Sequence, residues 1–163
     1  MTCLKNREMM KLDLYKPELE DLWFRQMMLE DDETMSYNAR WGGTVSFPKE
    51  DWKEWYNHWV LNNGNKRQYF YVKESDKFIG EIAYHYDDTY GANVANVIIY
   101  AKYRKQGYGT EALRLLCQLV KDNGFSVLYD DIAIDNPAIS LFLKAGFYEE
   151  YRTDEIILLK KNL

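Results

Sequence analysis

An apolar strand that runs into a glycine-containing loop and out again as a helix constrains this chain more than any other feature. Ile98-Ile99-Tyr100 leads into Ala101-Lys102-Tyr103-Arg104-Lys105-Gln106-Gly107-Tyr108-Gly109-Thr110. Gly107 and Gly109 let the backbone turn tightly and approach a ligand closely. The free N–H groups of the loop and of the helix start then converge on one spot, and with the helix dipole they suit a phosphate. Arg104 and Lys105 add positive charge there, in a chain whose formal net charge is −5. A phosphorylated ligand is the expected occupant.

The rest of the chain reads as alternating elements around that loop. Met9–Tyr15 alternates as a half-buried strand. Pro17 opens a helix with Leu19, Leu22, Trp23 and Met27 on one face, ended by the acidic run at 30–33, and 34–47 is irregular. Pro48 opens a second helix, in which Trp52, Trp55, Tyr56 and Trp59 form one apolar stripe that reads as core. Asn62-Asn63-Gly64-Asn65 stops it. Strands follow at 68–73, 78–86 and 93–103, then a helix at 110–121 and a strand at 126–134. Asn136 caps a last helix that starts at Pro137, and strands at 147–152 and 155–160 close the chain. The expected architecture is a mixed α/β sheet of about seven strands with four flanking helices. At 163 residues it is one domain, 1–163.

Composition removes several classes. There are 21 basic against 26 acidic residues, so no basic footprint for nucleic acid is present. No apolar run is long enough to span a bilayer. Residues 1–8 carry no apolar stretch of a signal peptide, which predicts a cytoplasmic setting. Cys3 and Cys117 form neither a disulfide framework nor a zinc ligand set, and no metal is expected. Aromatics are abundant, with 14 Tyr and 5 Trp. Such side chains often line pockets and interfaces, and where exposed they would favour a homodimer.

Two phosphate-binding patterns compete for the loop. Gly107-x-Gly109-x-x-Ala112 matches a dinucleotide fingerprint, with Asp130 or Asp131 about 20 residues on as a ribose-binding acid. A doubly wound domain needs several further βα units after that loop, and one remains. The second pattern is Arg104-x-x-Gly107-x-Gly109, with Tyr103 before it and Lys144-Ala145-Gly146-Phe147 ending the last helix. In these residues the chain resembles the GCN5-related N-acetyltransferases, from about Gln68 to Leu159. The resemblance implies the acyl-coenzyme A N-acyltransferase fold, with acetyl-coenzyme A as cosubstrate in a wedge between strands 93–103 and 126–134. It implies that Ile98, Ile99 and Tyr100 pair with the pantetheine arm, that a strand N–H near Ile99 or Tyr100 polarises the acetyl carbonyl, and that Arg104, Lys105, Gln106, Gly107, Tyr108, Gly109 and Thr110 hold the pyrophosphate.

Two positions depart from the family's pattern. Counting back from Gly146-Phe147, the place of a pantetheine-contacting asparagine is Asp135, with Asn136 beside it. The place of a tyrosine general acid is Phe142, which has no proton to donate. Strand 93–103 carries no carboxylate, so a base must come from elsewhere. Period 2 puts Glu81, Ala83 and His85 on one face of strand 78–86. Glu81, read as a lone, partly buried carboxylate, is the expected proton acceptor, with His85 as second choice. His58, beside the Trp stripe, reads as structural. The expected reaction is transfer of acetyl to a primary amine of a small molecule or a protein N-terminus. The alternative is a non-catalytic acyl-coenzyme A sensor of the same fold. Segment 31–47 is expected to wall the acceptor site, where acidic and aromatic groups would suit a cationic amine.

Overall fold

The computed structural model describes residues 10–61, 64 and 66–163. Cys3, residues 1–9 generally, and Asn62, Asn63 and Asn65 of the expected helix stop lie outside the described residues. The strands are β1 (Asp13–Tyr15), β2 (Arg67–Glu74), β3 (Lys77–Asp87), β4 (Ala92–Ile99), β5 (Val127–Ala133), β6 (Tyr148–Arg152) and β7 (Ile156–Asn162). The helices are α1 (Leu22–Glu30), α2 (Lys49–Tyr56), α3 (Tyr108–Asp122) and α4 (Ile139–Lys144). The seven strands form one sheet in the order β1-β2-β3-β4-β5-β7-β6. Every neighbouring pair is antiparallel except β4 and β5.

Two apolar clusters sandwich this sheet. One joins Leu113, Leu116 and Val120 of α3 to Ile82, Leu128, Ile132, Phe142 and Leu159. The other joins Leu22, Phe24 and Met28 of α1 and Trp52 and Tyr56 of α2 to Tyr69, Tyr71, Ala83 and Ile98. Thus the two faces of β3 and β4 bury different helices, as a period of two requires.

The first helix differs from its expected face. Leu22 is buried, but Phe24, Met28 and Leu29 point inward and Trp23 is half exposed. The cause is the 3₁₀ turn at Leu19–Asp21 that precedes α1. Three residues per turn instead of 3.6 advances the phase, so positions counted from Pro17 miss the true stripe. Segment 34–41, expected to be irregular, is a 3₁₀ helix, and the α2 stripe runs on into a π turn at Asn57–Leu61. The strand expected to reach Tyr103 stops at Ile99, and Ala101–Tyr103 is a 3₁₀ turn.

Candidate active site

Parallel pairing between β4 and β5 covers only Asn93–Leu128 and Val94–Tyr129. Beyond that point the strands part. The wedge between them opens a cavity of about 1120 Å³, lined by β3, β4, β5, the phosphate loop, α4 and the 3₁₀ segment Thr34–Trp41.

The cofactor side is made of backbone. Tyr100 donates its N–H to the Ile79 carbonyl at 3.0 Å, so it faces β3 and is not free for an acetyl carbonyl. Strand alternation turns the N–H of Ile99 the other way, toward the wedge. Lys105 and Gly107 both have left-handed backbones, with φ of 61° and 91°. Gly107 immediately precedes α3, and a Cβ there would meet nothing nearer than Met10 Cε at 3.7 Å. Alternating left-handed residues at a helix start make a concave nest of N–H groups. Close approach between β3 and β4 depends on a different glycine. A Cβ on Gly80 would lie 2.2 Å from the Ile98 carbonyl oxygen, so only glycine lets the strands meet there.

Arg104 has a role the sequence reading did not assign. Its Nε donates to Ile99 O at 3.2 Å, and its Nη atoms donate to Glu33 O at 3.1 Å and Thr34 O at 2.6 Å. The guanidinium thus ties the 3₁₀ segment to the end of β4. Desolvation lowers its pKa, although it stays charged. Of the remaining loop residues, Lys105, Gly107, Gly109 and Thr110 line the cavity. Tyr108 is buried, and its hydroxyl donates to Glu74 at 2.9 Å. Asn136 lines the cavity but does not cap α4: the helix expected to start at Pro137 starts at Ile139 behind Ala138, with no side-chain cap, and the Asn136 Oδ1 accepts the Ala138 N–H at 2.8 Å in the turn before it.

The acceptor side is made of side chains. Glu81, Ala83 and His85 all line the cavity, as the period-2 pattern predicts. Glu81, however, is not a lone carboxylate. It is fully buried, and both its oxygens accept from Arg25 Nη1, at 2.5 and 2.6 Å. The Tyr69 hydroxyl and Asn96 Nδ2 donate to it as well. Arg25 in turn lies over the Trp55 ring at 4.3 Å, with Phe47 and Tyr69 at 5.3 and 5.6 Å. The premise on which Glu81 was chosen as proton acceptor therefore fails, because four donated hydrogen bonds occupy its lone pairs.

His85 packs edge-on to Trp59 at 5.8 Å, and burial lowers its pKa, leaving a neutral imidazole near pH 7. His58 is exposed and contacts Arg67. Tyr37, Asn38 and Trp41 wall the cavity as expected for segment 31–47, but its acids do not. Asp31 instead accepts from the N–H and hydroxyl of Thr34 at 2.8 and 2.6 Å. The Tyr37 hydroxyl is pushed up to about 12 by burial and then by the charge of Glu81. Sequence reasoning missed Arg25 and Tyr69, whose signal was only an inward charge beside Phe24 and an aromatic in a strand.

Among the described residues no cluster of His, Cys, Asp and Glu could hold a metal, and no helix is long and apolar enough to cross a membrane.

The fold is that of several solved structures. Spermidine N-acetyltransferase from Vibrio cholerae, in complex with CoA and spermine, superposes with a TM-score of 0.76 at 21% identity, covering 93% of this chain and 95% of that one. The GNAT domain of S. lividans PAT gives 0.73 at 13% identity, with 93% and 89% covered. PaiA N-acetyltransferase from Thermoplasma acidophilum, in complex with coenzyme A, gives 0.67 at 16% identity, with 94% and 100% covered. Comparison with curated proteins gives no significant match. Residues 11–148 of the 163 match the acetyltransferase (GNAT) domain family. Sequence, sheet order and wedge agree, and the chain belongs to the GNAT acetyltransferases, enzymes that use acetyl-coenzyme A as cosubstrate.

Proposed function

We propose that the chain transfers acetyl from acetyl-coenzyme A to the primary amine of a small cationic molecule. The observation that carries this is the aromatic lining of the acceptor side. Tyr37, Trp41, Trp55 and Trp59 wall the cavity together with Asp131 of β5. Ring faces and carboxylates attract an ammonium group, whereas a neutral acceptor gains nothing from them. The relatives named above include an enzyme crystallised with spermine, and polyamines are the first acceptors to try.

On this reading the nest at Lys105–Gly107 and the start of α3 hold the pyrophosphate. The N–H of Ile99 polarises the thioester carbonyl, where negative charge develops as the amine attacks. His85, neutral at working pH, is positioned on the acceptor wall to take the ammonium proton.

Two observations favour a second reading, a sensor that binds acyl-coenzyme A without turnover: Phe142 has no hydroxyl, and Glu81 is locked to Arg25. One experiment separates the two. Calorimetry measures acetyl-coenzyme A binding with NAD as control, and thiol release is followed on spermidine, lysine, an aminoglycoside and a peptide N-terminus. Acetyl-coenzyme A binding, no NAD binding and thiol release with spermidine are expected. Binding without release on every amine selects the sensor.

A further inference from the structure

The transfer reading leaves the attacking nitrogen without a named partner on the acceptor wall, and this inference rests on that reading. Asn96 stands on β4 opposite Ala83 and shares its face with Ile98. Both line the cavity. The two positions are about 7 Å apart, a gap that an asparagine side chain and one hydrogen bond of about 3 Å span. Asn96 Nδ2 donates to Glu81 Oε1 at 3.2 Å, and Glu81 is the β3 residue opposite Ile98. The bond therefore draws the amide along the strand toward Ile98, and Ile99, next to it, carries the N–H turned to the wedge. We propose that Asn96 receives the attacking amine, its side-chain oxygen accepting an N–H as the nitrogen bonds to the thioester carbon.

The direction of that oxygen follows from what lies behind it. Glu81 is fully buried and paired to Arg25, at 2.5 and 2.6 Å, so it can only accept. It must face the NH₂ half of the Asn96 amide. An amide carries its nitrogen and oxygen on opposite branches of one plane, so the oxygen is turned away from Glu81. Among the described residues that oxygen has no hydrogen-bond partner, and Asn96 is half-buried and opens on the cavity. Glu81 is held from swinging aside, because the Tyr69 hydroxyl also donates to it and Arg25 lies over the Trp55 ring at 4.3 Å. A neutral acceptor is what the reaction needs at this point. A carboxylate would hold the ammonium, which has no lone pair to attack with. The amide oxygen favours the charged form far less, and its bond strengthens once the nitrogen turns positive in the transition state.

The step balances as follows. The ammonium loses one proton to His85 or water. The nitrogen lone pair bonds to the thioester carbon, and the carbonyl π pair moves to oxygen. The nitrogen, now positive, keeps one N–H on Asn96 and loses its other proton to water. The carbonyl re-forms, the C–S pair leaves on sulfur, and water protonates the thiolate. Asn96 gives and takes no proton. The products are the acetamide, the free thiol and one proton.

The test uses the whole chain, acetyl-coenzyme A and spermidine, or the panel amine that wild type acetylates, with Asn96→Leu and Asn96→Gln. Leucine fills the same space and offers no acceptor. The kcat of Asn96→Leu should fall about 10- to 100-fold, the worth of a hydrogen bond to a charged group. The KM for the amine should change less than kcat, because the bond is strongest in the transition state. Asn96→Gln keeps an amide to donate to Glu81 but displaces the oxygen, and its kcat should fall about tenfold or more. Acetyl-coenzyme A affinity by calorimetry should be unchanged in both, and melting curves report folding. If Asn96→Leu does not fold, Asn96→Gln decides alone. Wild-type kcat in either folded variant, or a loss confined to KM, means that Asn96 does not hold the reacting nitrogen while transfer stands. If wild type binds acetyl-coenzyme A but acetylates no amine, transfer fails and this assignment with it.

Discussion

The two sides of the wedge are built by opposite means. The cofactor side uses backbone: the turned N–H of Ile99, the left-handed Lys105 and Gly107, and the start of α3. The acceptor side uses side chains drawn from far apart, with Arg25 and Glu81 separated by 56 positions. Backbone recognition can fail without the fold failing, because the glycine loop lies on the surface. Side-chain recognition here is also core, because Arg25 and Glu81 join α1 to β3 and lie beneath Trp55. Damage on one side should appear as lost affinity, and damage on the other as lost stability.

The largest effect should come from the acceptor side. Glu81→Gln leaves the Arg25 charge buried without its partner, and such breaks cost about 3–5 kcal/mol. Urea unfolding should show that loss, with acetyl-coenzyme A affinity of the folded fraction unchanged. Replacing Arg25 by Met in the same chain should recover much of it. A loss under about 1 kcal/mol would make the pair a surface-like one and erase the contrast.

Next comes the cofactor side. On the proposed reading Gly107→Asp puts a charge into the phosphate nest and should weaken acetyl-coenzyme A binding at least ~100-fold, about 2.7 kcal/mol. Its backbone strain of roughly 1–2 kcal/mol is shared by Gly107→Ala, which carries no charge. Comparing the two by calorimetry and melting separates repulsion from strain. If Gly107→Asp binds as well as Gly107→Ala, the nest does not hold the phosphates.

The smallest effect concerns His85. Its folded pKa lies below 6.5 because of burial. The unfolded chain therefore takes the proton first, and stability falls as pH drops below about 6.5 toward the folded value. Above that pH the histidine contributes nothing to the slope. His85→Gln should remove a decrease on the order of 1 °C in Tm between about pH 7 and pH 5.5. An unchanged slope would place His85 outside the buried wall.

What was legible in the sequence follows the same division. The strand order and the loop could be read because glycines, prolines and period-2 runs act over a few residues. The face of α1 could not, because a 3₁₀ turn ahead of it shifted the phase and turned Trp23 outward. Glu81 was placed correctly on the wall by alternation, yet its chemistry was misread. Its partner Arg25 sits on another element, and no local pattern announces a contact across 56 positions.

The three carbonyl bonds of Arg104 bear on how such proteins diverge. This loop arginine acts as a rivet between the 3₁₀ segment and the end of β4, two walls of the cavity. Selection on this arginine is selection on the shape of the wedge, which a catalyst and an inert descendant need equally. A lineage could therefore lose turnover, exchange its acceptor or relocate its acid while this position stayed unchanged. On this arrangement the arginine answers to the shape of the wedge, and the side chains facing the cavity answer to what the wedge does.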